Sequence, residues 1–282
     1  RLLREGYTEL RPGRWQLTAG GKYFTTKNGS SLMAFRLPQE APAGFLLTAS
    51  HSDSPCFRLR DHAELTGEYI RLSAERYGGM INDSWLDRPL SVAGRVVVRR
   101  EGGLEARLVD LKRDVALIPR VAIHLNRETN SGVKYDPARD LVALYAAGTG
   151  SGSFYREVAR TADCAPEDVV AGDLVLYNNQ PGTVWGPEGE FVSAPRLDDL
   201  ACVFACTEGF LTAQERDMVP VLCVFDNEEI GSETKQGAAS VFLPETLAAI
   251  SEALGLSAAD HRALLADSMM LSCDNGHARH PN

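Results

Sequence analysis

The sequence predicts an α/β fold, a mostly parallel sheet flanked by helices and interrupted by an inserted β-rich domain. Continuous apolar runs of strand length, typical of strands covered on both faces, occur near both ends of the chain. Helix-patterned segments separate the later runs, and strand–helix–strand order favours parallel pairing. The middle of the chain instead carries short β-rich runs between glycine, proline and charged residues. We therefore expect a discontinuous α/β domain over residues 1–60 and 185–282, and an inserted domain over residues 61–184.

The first segment of the α/β domain begins with a predicted hairpin. Strand-like runs at Lys22–Thr26 and Ser31–Leu37 flank Asn28 and Gly29. These two residues tolerate the positive φ of a primed turn. The apolar run Phe45–Ser50 follows and predicts a strand buried on both faces.

The inserted segment is predicted to be β-rich. Its strand-like runs are Val92–Arg99, Leu104–Leu111 and Arg120–Leu125, and no long amphipathic helix is evident before about Ser153. Gly148–Ser153 reads G-T-G-S-G-S, but it lacks the lysine of a phosphate-binding loop. A flexible loop is the better interpretation.

After residue 185 the α/β pattern returns. Val219–Phe225 and Ser268–Cys273 are predicted strands, and Glu245–Leu254 and Ala258–Leu265 are predicted helices between them. An earlier helix is indicated by apolar side chains at helical spacing: Leu200, Val203, Phe204, Thr207, Phe210 and Leu211. Ligands of such sheets bind at the carboxyl ends of the strands.

Composition excludes several classes of function. A net charge of −9, with 29 basic against 38 acidic residues, argues against nucleic-acid binding. No apolar run approaches the ~20 residues needed to cross a bilayer, so we expect a cytoplasmic protein without membrane contact. The six cysteines form no C-x-x-C pair and are expected to be reduced. Cys202 and Cys206 could form half of a zinc site, but no matching pair is present.

Polar side chains follow the predicted strands in four clusters. A single acidic pair at a strand end is usually a solvated loop or a helix cap. Four clusters at one sheet edge favour a metal site, because crowded carboxylates repel one another unless a cation neutralises them. Histidine and carboxylate ligands suit zinc, and also accept manganese or cobalt. The clusters are His51 with Asp53, Asp198 with Asp199, Glu228 with Glu229, and Asp274 with His277 and His280.

The clusters lie in longer motifs that resemble the aspartyl aminopeptidases, which are exopeptidases with two zinc ions. The motifs are H-S-D-S-P from His51, A-P-R-L-D ending at Asp198, D-N-E-E-I-G-S from Asp226, and D-N-G-H-A-R-H-P-N from Asp274. Further similar segments, such as I-P-R-V-A-I-H-L from Ile118, extend the resemblance over nearly the whole chain. The resemblance implies a zinc exopeptidase-like fold whose inserted domain serves dimerisation and covers the active site.

The resemblance also implies a role for each site residue. His51 and Asp274 would hold one zinc ion, Glu229 would hold the other, and Asp198 would bridge them. Asp53 would orient the His51 imidazole. Glu228 would be the general base for a hydroxide held on the two zinc ions. The implied substrates are peptides with an unblocked N-terminal Asp or Glu.

His124 has two interpretations. Taken alone, a histidine in a strand-like run is more often a structural hydrogen-bonding residue. The resemblance implies instead that His124 reaches the active site of a neighbouring subunit and stabilises the developing oxyanion. It further implies a homo-oligomer, typically a dodecamer. His277 and His280 are expected to be pocket or loop residues, since the family's ligand in that motif is the aspartate.

Two alternatives stay open on the sequence. Members of the family continue past H-P-N and there supply a final histidine ligand and groups that recognise an acidic side chain, whereas this sequence stops at Asn282. The protein could therefore be a truncated, non-catalytic assembly subunit. It could also be another dinuclear aminopeptidase or amidohydrolase, because the ligand sets overlap.

Overall fold

The computed structural model describes residues 1–148, 150–214 and 217–282. These residues form two compact units. The first comprises Arg1–Ser54 and Arg196–Asn282, and the second comprises Pro55–Pro195. The second unit is longer at both ends than the predicted insertion, because a strand of its sheet begins at Cys56 and a two-stranded ribbon occupies residues 183–193.

Strands predominate over helices, and both are numbered in chain order. The strands are β1 Thr8–Glu9, β2 Lys22–Lys27, β3 Ser31–Arg36, β4 Gly44–His51, β5 Cys56–Leu65, β6 Tyr69–Tyr77, β7 Pro89–Arg100, β8 Gly103–Asp110, β9 Ala116–Leu117, β10 Ala143–Ala147, β11 Val169–Asn178, β12 Thr183–Trp185, β13 Phe191–Ser193, β14 Met218–Phe225 and β15 Met269–Ser272. The helices are α1 Pro137–Asp140, α2 Ser153–Thr161, α3 Leu197–Thr212, α4 Phe242–Ala253 and α5 Ala258–Ala266.

The first unit contains a six-stranded sheet in the order β1-β2-β3-β14-β4-β15. Among the described residues, three of its five neighbouring pairs are parallel and the two that involve β3 are antiparallel. β2 and β3 are antiparallel because they form the predicted hairpin. Asn28 and Gly29 have φ of 52° and 70°, which confirms the predicted turn type.

Helices cover both faces of this sheet. Along β14, Val221 and Cys223 pack with residues of α4 and α5, whereas Leu222 and Val224 pack with residues of α3. Side chains of a strand alternate between faces, so β14 contributes to both cores. This burial on both faces explains why its sequence is almost continuously apolar.

The second unit is built around an antiparallel barrel. β5, β6, β10, β9, β7 and β11 form a closed ring because β11 pairs with both β5 and β7, and β8 extends from β7. The barrel interior is filled by side chains such as Phe57, Leu90, Phe154 and Leu176. Because the barrel is closed, few of its strand edges are left unpaired. Unpaired strand edges favour aggregation.

The predicted strand at Arg120–Leu125 is wrong. Val121, Ile123 and Leu125 alternate with more polar residues as in a strand, yet all three are exposed and the segment pairs with no described strand. Its backbone forms a turn in which Leu125 N donates to Ala122 O. Alternation of apolar and polar residues indicates a strand only where one face of the segment is buried. In this segment the apolar side chains face solvent.

The segment Gly148–Ser153 forms no phosphate site. Thr149 lies outside the described residues, but the N-terminus of α2 that follows is occupied from within the chain. Gly152 N and Phe154 N both donate to the Glu64 carboxylate. That carboxylate takes the place an anion would occupy at a helix N-terminus.

Gly94 is a position where only glycine fits the barrel. Its φ is +149°, and a Cβ there would lie 2.1 Å from the backbone oxygen of Asp173 on the paired strand. We expect Gly94→Ala to lower the free energy of unfolding by about 3 kcal/mol, measured by urea unfolding. Gly79→Ala is the matched control, since a Cβ there meets nothing within 4 Å. It should change stability by less than about 0.5 kcal/mol, and equal effects would contradict the steric explanation.

None of the helices in the described ranges is long and apolar enough to span a lipid bilayer.

Candidate metal centre

Three strands of the first unit end at the same edge of the sheet. β4 and β14 are parallel, with His51 opposite Phe225, and β15 runs parallel to β4 on its other side. Their carboxyl ends are therefore adjacent, and the residues after each strand meet there. The N-terminus of α3 brings Asp198 to the same place, where Ser54 Oγ donates to Asp198 O at 2.8 Å.

His51 lies at the centre of this group and is 4% exposed. Its Nε2 lies 3.5 Å from Asp198 Oδ1, 3.7 Å from Asp274 Oδ1 and 3.8 Å from Glu228 Oε2. Its Nδ1 faces the other way, 3.1 Å from the backbone oxygen of Asp53 and 3.3 Å from the Asp53 carboxylate. A hydrogen at Nδ1 leaves the Nε2 lone pair directed at the carboxylates.

Asp53 joins His51 to the loop after β14. Its two carboxylate oxygens accept hydrogen bonds from Glu228 N and Glu229 N, each at 3.1 Å. Asn227 begins this turn with φ of 63°, a conformation that asparagine adopts more readily than most residues. One buried carboxylate thus orients the imidazole and fixes both glutamates of the D-N-E-E motif.

Asp199, next to Asp198, is fully buried and also contacts His51. Its Oδ2 accepts from His51 N and its Oδ1 accepts from Asn275 Nδ2, each at 3.1 Å. The Cys202 thiol hydrogen-bonds to the same carboxylate, and this bond, with burial, raises the pKa of Cys202 to about 12. The peptide bond between Asp198 and Asp199 is cis.

The crowded carboxylates shift each other's acidity. Burial, then the charge of Asp274, raises the pKa of Asp198. Burial, then the charges of Glu228 and Asp53, raises the pKa of Glu229 to about 7. For His51, burial opposes protonation, but the surrounding carboxylates outweigh it and raise the pKa of the imidazole. Burial is thus the largest cause for the two carboxyl groups, and the neighbouring negative charges add to it.

The donor set fits a divalent cation. His51, Asp198, Asp199 and Asp274 each offer a ligand atom, and these atoms lie within 4.8 Å of one another. One imidazole nitrogen with several carboxylate oxygens is a set that zinc accepts. A cation would also neutralise the repulsion among the carboxylates.

The other predicted residues are arranged as follows. Glu229 lies beside Asp53 and is outside the group of four, while His277 and His280 are exposed in the chain after β15. His124 belongs to the second unit and is exposed in the turn at residues 122–125. All six cysteines are free, and Cys206 Sγ accepts from Thr48 Oγ1.

Sequence reasoning gave no role to Asp199 or Asn275. A signal for Asp199 was present, because Asp199, Cys202 and Cys206 recur at spacings of three and four and so share a face of α3. An acid on a buried helix face indicates a specific partner. Asn275 follows Asp274 directly and carried no signal of its own.

Comparisons with known proteins agree with this geometry. The family described as Aminopeptidase I zinc metalloprotease (M18) matches residues 1–282. The chain is 40% identical to the probable M18 family aminopeptidase 2 of Clostridium acetobutylicum, over 100% of this chain and 67% of that protein.

Two solved structures are also similar to this chain in sequence and in fold. Chaetomium thermophilum mApe1 is 31% identical with a TM-score of 0.90, over 100% of this chain and 70% of that one. A dodecamer structure of S. cerevisiae mApe1 is 29% identical with a TM-score of 0.84, over 99% and 67% of the two chains. This chain spans about two thirds of the length of these relatives. It belongs to the M18 family of zinc aminopeptidases, which are exopeptidases and hydrolases.

Proposed function

We propose that this protein is a metal-dependent aminopeptidase that removes an unblocked N-terminal Asp or Glu from peptides, using two metal ions. The convergence of one oriented imidazole with carboxylates from three strand ends and the α3 N-terminus carries the proposal. The acidic preference rests on the family resemblance of the motifs.

The proposed ligand set uses residues of the first unit only. His51 and Asp274 would hold one zinc ion, Glu229 would hold the other, and Asp198 would contact both. Bound in this way, such ions polarise a carbonyl group and make water a better nucleophile. Manganese or cobalt would serve with the same ligands.

Glu228 is proposed as the general base. Its side chain is half-exposed, its Oε2 lies 3.8 Å from His51 Nε2, and its backbone is held by Asp53. In this role the carboxylate takes a proton from the attacking water and passes it to the leaving amine. The remaining negative charge would attract a protonated α-amino group, which accounts for cleavage at the amino end.

Assembly into a homo-oligomer, with the second unit as a dimerisation and lid domain, is part of the same proposal. The exposed apolar side chains of Val121, Ile123 and Leu125 beside His124 support a subunit contact there. In that arrangement His124 would stabilise the oxyanion in a neighbouring subunit. The dodecamer of the yeast relative supports the same stoichiometry for this chain. The six free cysteines support a reducing compartment such as the cytoplasm.

The substrate preference has a direct test. Purified protein loaded with zinc should hydrolyse an aspartyl anilide with a kcat/KM roughly 100-fold above that of a leucyl anilide, because the family resemblance implies recognition of the acidic side chain. An N-acetylated aspartyl anilide should not be cleaved. A leucyl preference would overturn the acidic specificity and retain the aminopeptidase. Absence of turnover and of bound metal would favour the assembly subunit.

A further inference from the structure

Asp199 connects the loops that carry the proposed metal ligands. It lies at the start of α3, beside Asp198. Through Oδ2 it accepts from the backbone of His51 at the end of β4. Through Oδ1 it accepts from Asn275, the residue after Asp274. The same Asn275 amide donates to Leu197 O at 2.7 Å, so Asn275 also contacts the first turn of α3.

Among the described residues, the His51 ring is the nearby group whose positive form the buried Asp199 carboxylate favours, and it lies outside ion-pair distance. The exposure of Asp199 is 0%, and within the described ranges no Lys, Arg or His side chain forms an ion pair with it. Its contacts are a backbone N–H, an amide and a thiol. Burying an isolated carboxylate is costly, and a nearby metal cation would offset much of that cost.

Asp199 differs from Asp198 and Asp274 in exposure. The side chains of Asp198 and Asp274 are more than half exposed, so their oxygens are open to an ion and to substrate. Asp199 instead lies behind them, and both of its oxygens already accept N–H groups. Its placement suits a residue that holds the ligands in place.

We propose that Asp199 is a positioning residue and not a metal ligand: through His51 N and Asn275 it fixes three loops so that His51, Asp198 and Asp274 converge. This inference rests on the proposed metal-binding function. Groups behind the ligands typically contribute 10- to 100-fold to metal affinity. The bond between Asp199 and Asn275 carries this effect to Asp274.

A double-mutant cycle with Zn²⁺ tests the assignment. The variants are Asp199→Asn, Asn275→Ala and their combination, and the dissociation constant for Zn²⁺ is measured by competition with a chromophoric chelator. We expect Asp199→Asn to weaken binding by about 10- to 100-fold and Asn275→Ala by about tenfold. The double variant should be weaker than Asp199→Asn by clearly less than the effect of Asn275→Ala alone, because the Asp199–Asn275 bond can be lost only once and the Asn275–Leu197 bond is the remaining loss.

Hydrogen exchange of the His51 amide provides a second readout that needs no metal. In metal-free protein, Asp199→Asn replaces a charged acceptor with a neutral one and should speed exchange at His51 about tenfold. Asp260→Asn is the matched control: it removes the capping-box carboxylate of α5 and should leave both Zn²⁺ affinity and His51 exchange unchanged.

Any one of three results would overturn the assignment: additive effects in the cycle, unchanged Zn²⁺ affinity in Asn275→Ala, or unchanged His51 exchange in Asp199→Asn. If the wild-type protein binds no Zn²⁺, the proposed function fails, and the exchange measurement still decides whether Asp199 holds the His51 loop.

Discussion

Replacing Glu228 with glutamine should lower kcat by about 10²- to 10⁴-fold and leave the metal content unchanged. The amide has the shape of the carboxylate but cannot accept a proton from water. The fold around it should persist, because the Glu228 backbone is held by Asp53 and the backbone N–H is unaffected by the substitution. The change therefore removes the proton acceptor and one negative charge and keeps the fold.

The measurement pairs steady-state kinetics with elemental analysis of the same sample. Glu233→Gln is the control, since Glu233 is an exposed acid of the same loop and its substitution changes the net charge equally. It should retain wild-type kcat. Substantial residual turnover in Glu228→Gln would remove Glu228 as the base, whereas loss of metal would make it a ligand.

The parts of the structure that could be predicted are those in which local pattern and burial agree. β4 and β14 read as continuous apolar runs because helices cover both faces of their sheet. Parallel strands bring their carboxyl ends together, so polar residues after each strand had to meet. That rule alone predicts His51 near Glu228 and Asp274, whereas Asp198 is brought there by the N-terminus of α3.

The parts that could not be predicted depend on contacts between distant segments. The alternating residues Val121, Ile123 and Leu125 fit a strand, but a strand forms only where another edge accepts its hydrogen bonds. Asp199 and Asn275 are 76 positions apart in sequence. The bond between them follows from the register of β15 against β4, which no local pattern encodes.

Asp53 has a second structural role that its position in the H-S-D-S-P motif does not indicate. The family resemblance implied that the Asp53 carboxylate orients His51. The structure adds that the same carboxylate accepts Glu228 N and Glu229 N. The imidazole and the D-N-E-E turn are thus positioned by one residue, and the proposed ligand and base are fixed relative to each other.

Replacing Asp198 with asparagine should have the other large effect, because Asp198 is the one residue proposed to contact both metal ions. Two metal ions a few ångströms apart repel each other, and a shared carboxylate offsets that repulsion. An amide oxygen carries no net charge and binds zinc weakly. We therefore expect fewer than one ion per chain and a fall in kcat/KM of about 10³-fold or more, in line with the several kcal/mol that bound metal contributes.

The Asp274→Asn variant is the control that distinguishes a carboxylate shared by two metal ions from one that binds a single ion. Asp274 also lies close to His51 Nε2 and has a similar exposure, but it is proposed to hold one ion only. Its variant should lose one ion and retain the other by elemental analysis. Both substitutions keep side-chain shape, and the Asp198 backbone remains fixed by Ser54, so neither should unfold the protein. If the two variants lose the same number of ions, Asp198 does not bridge, and the two metals are held independently.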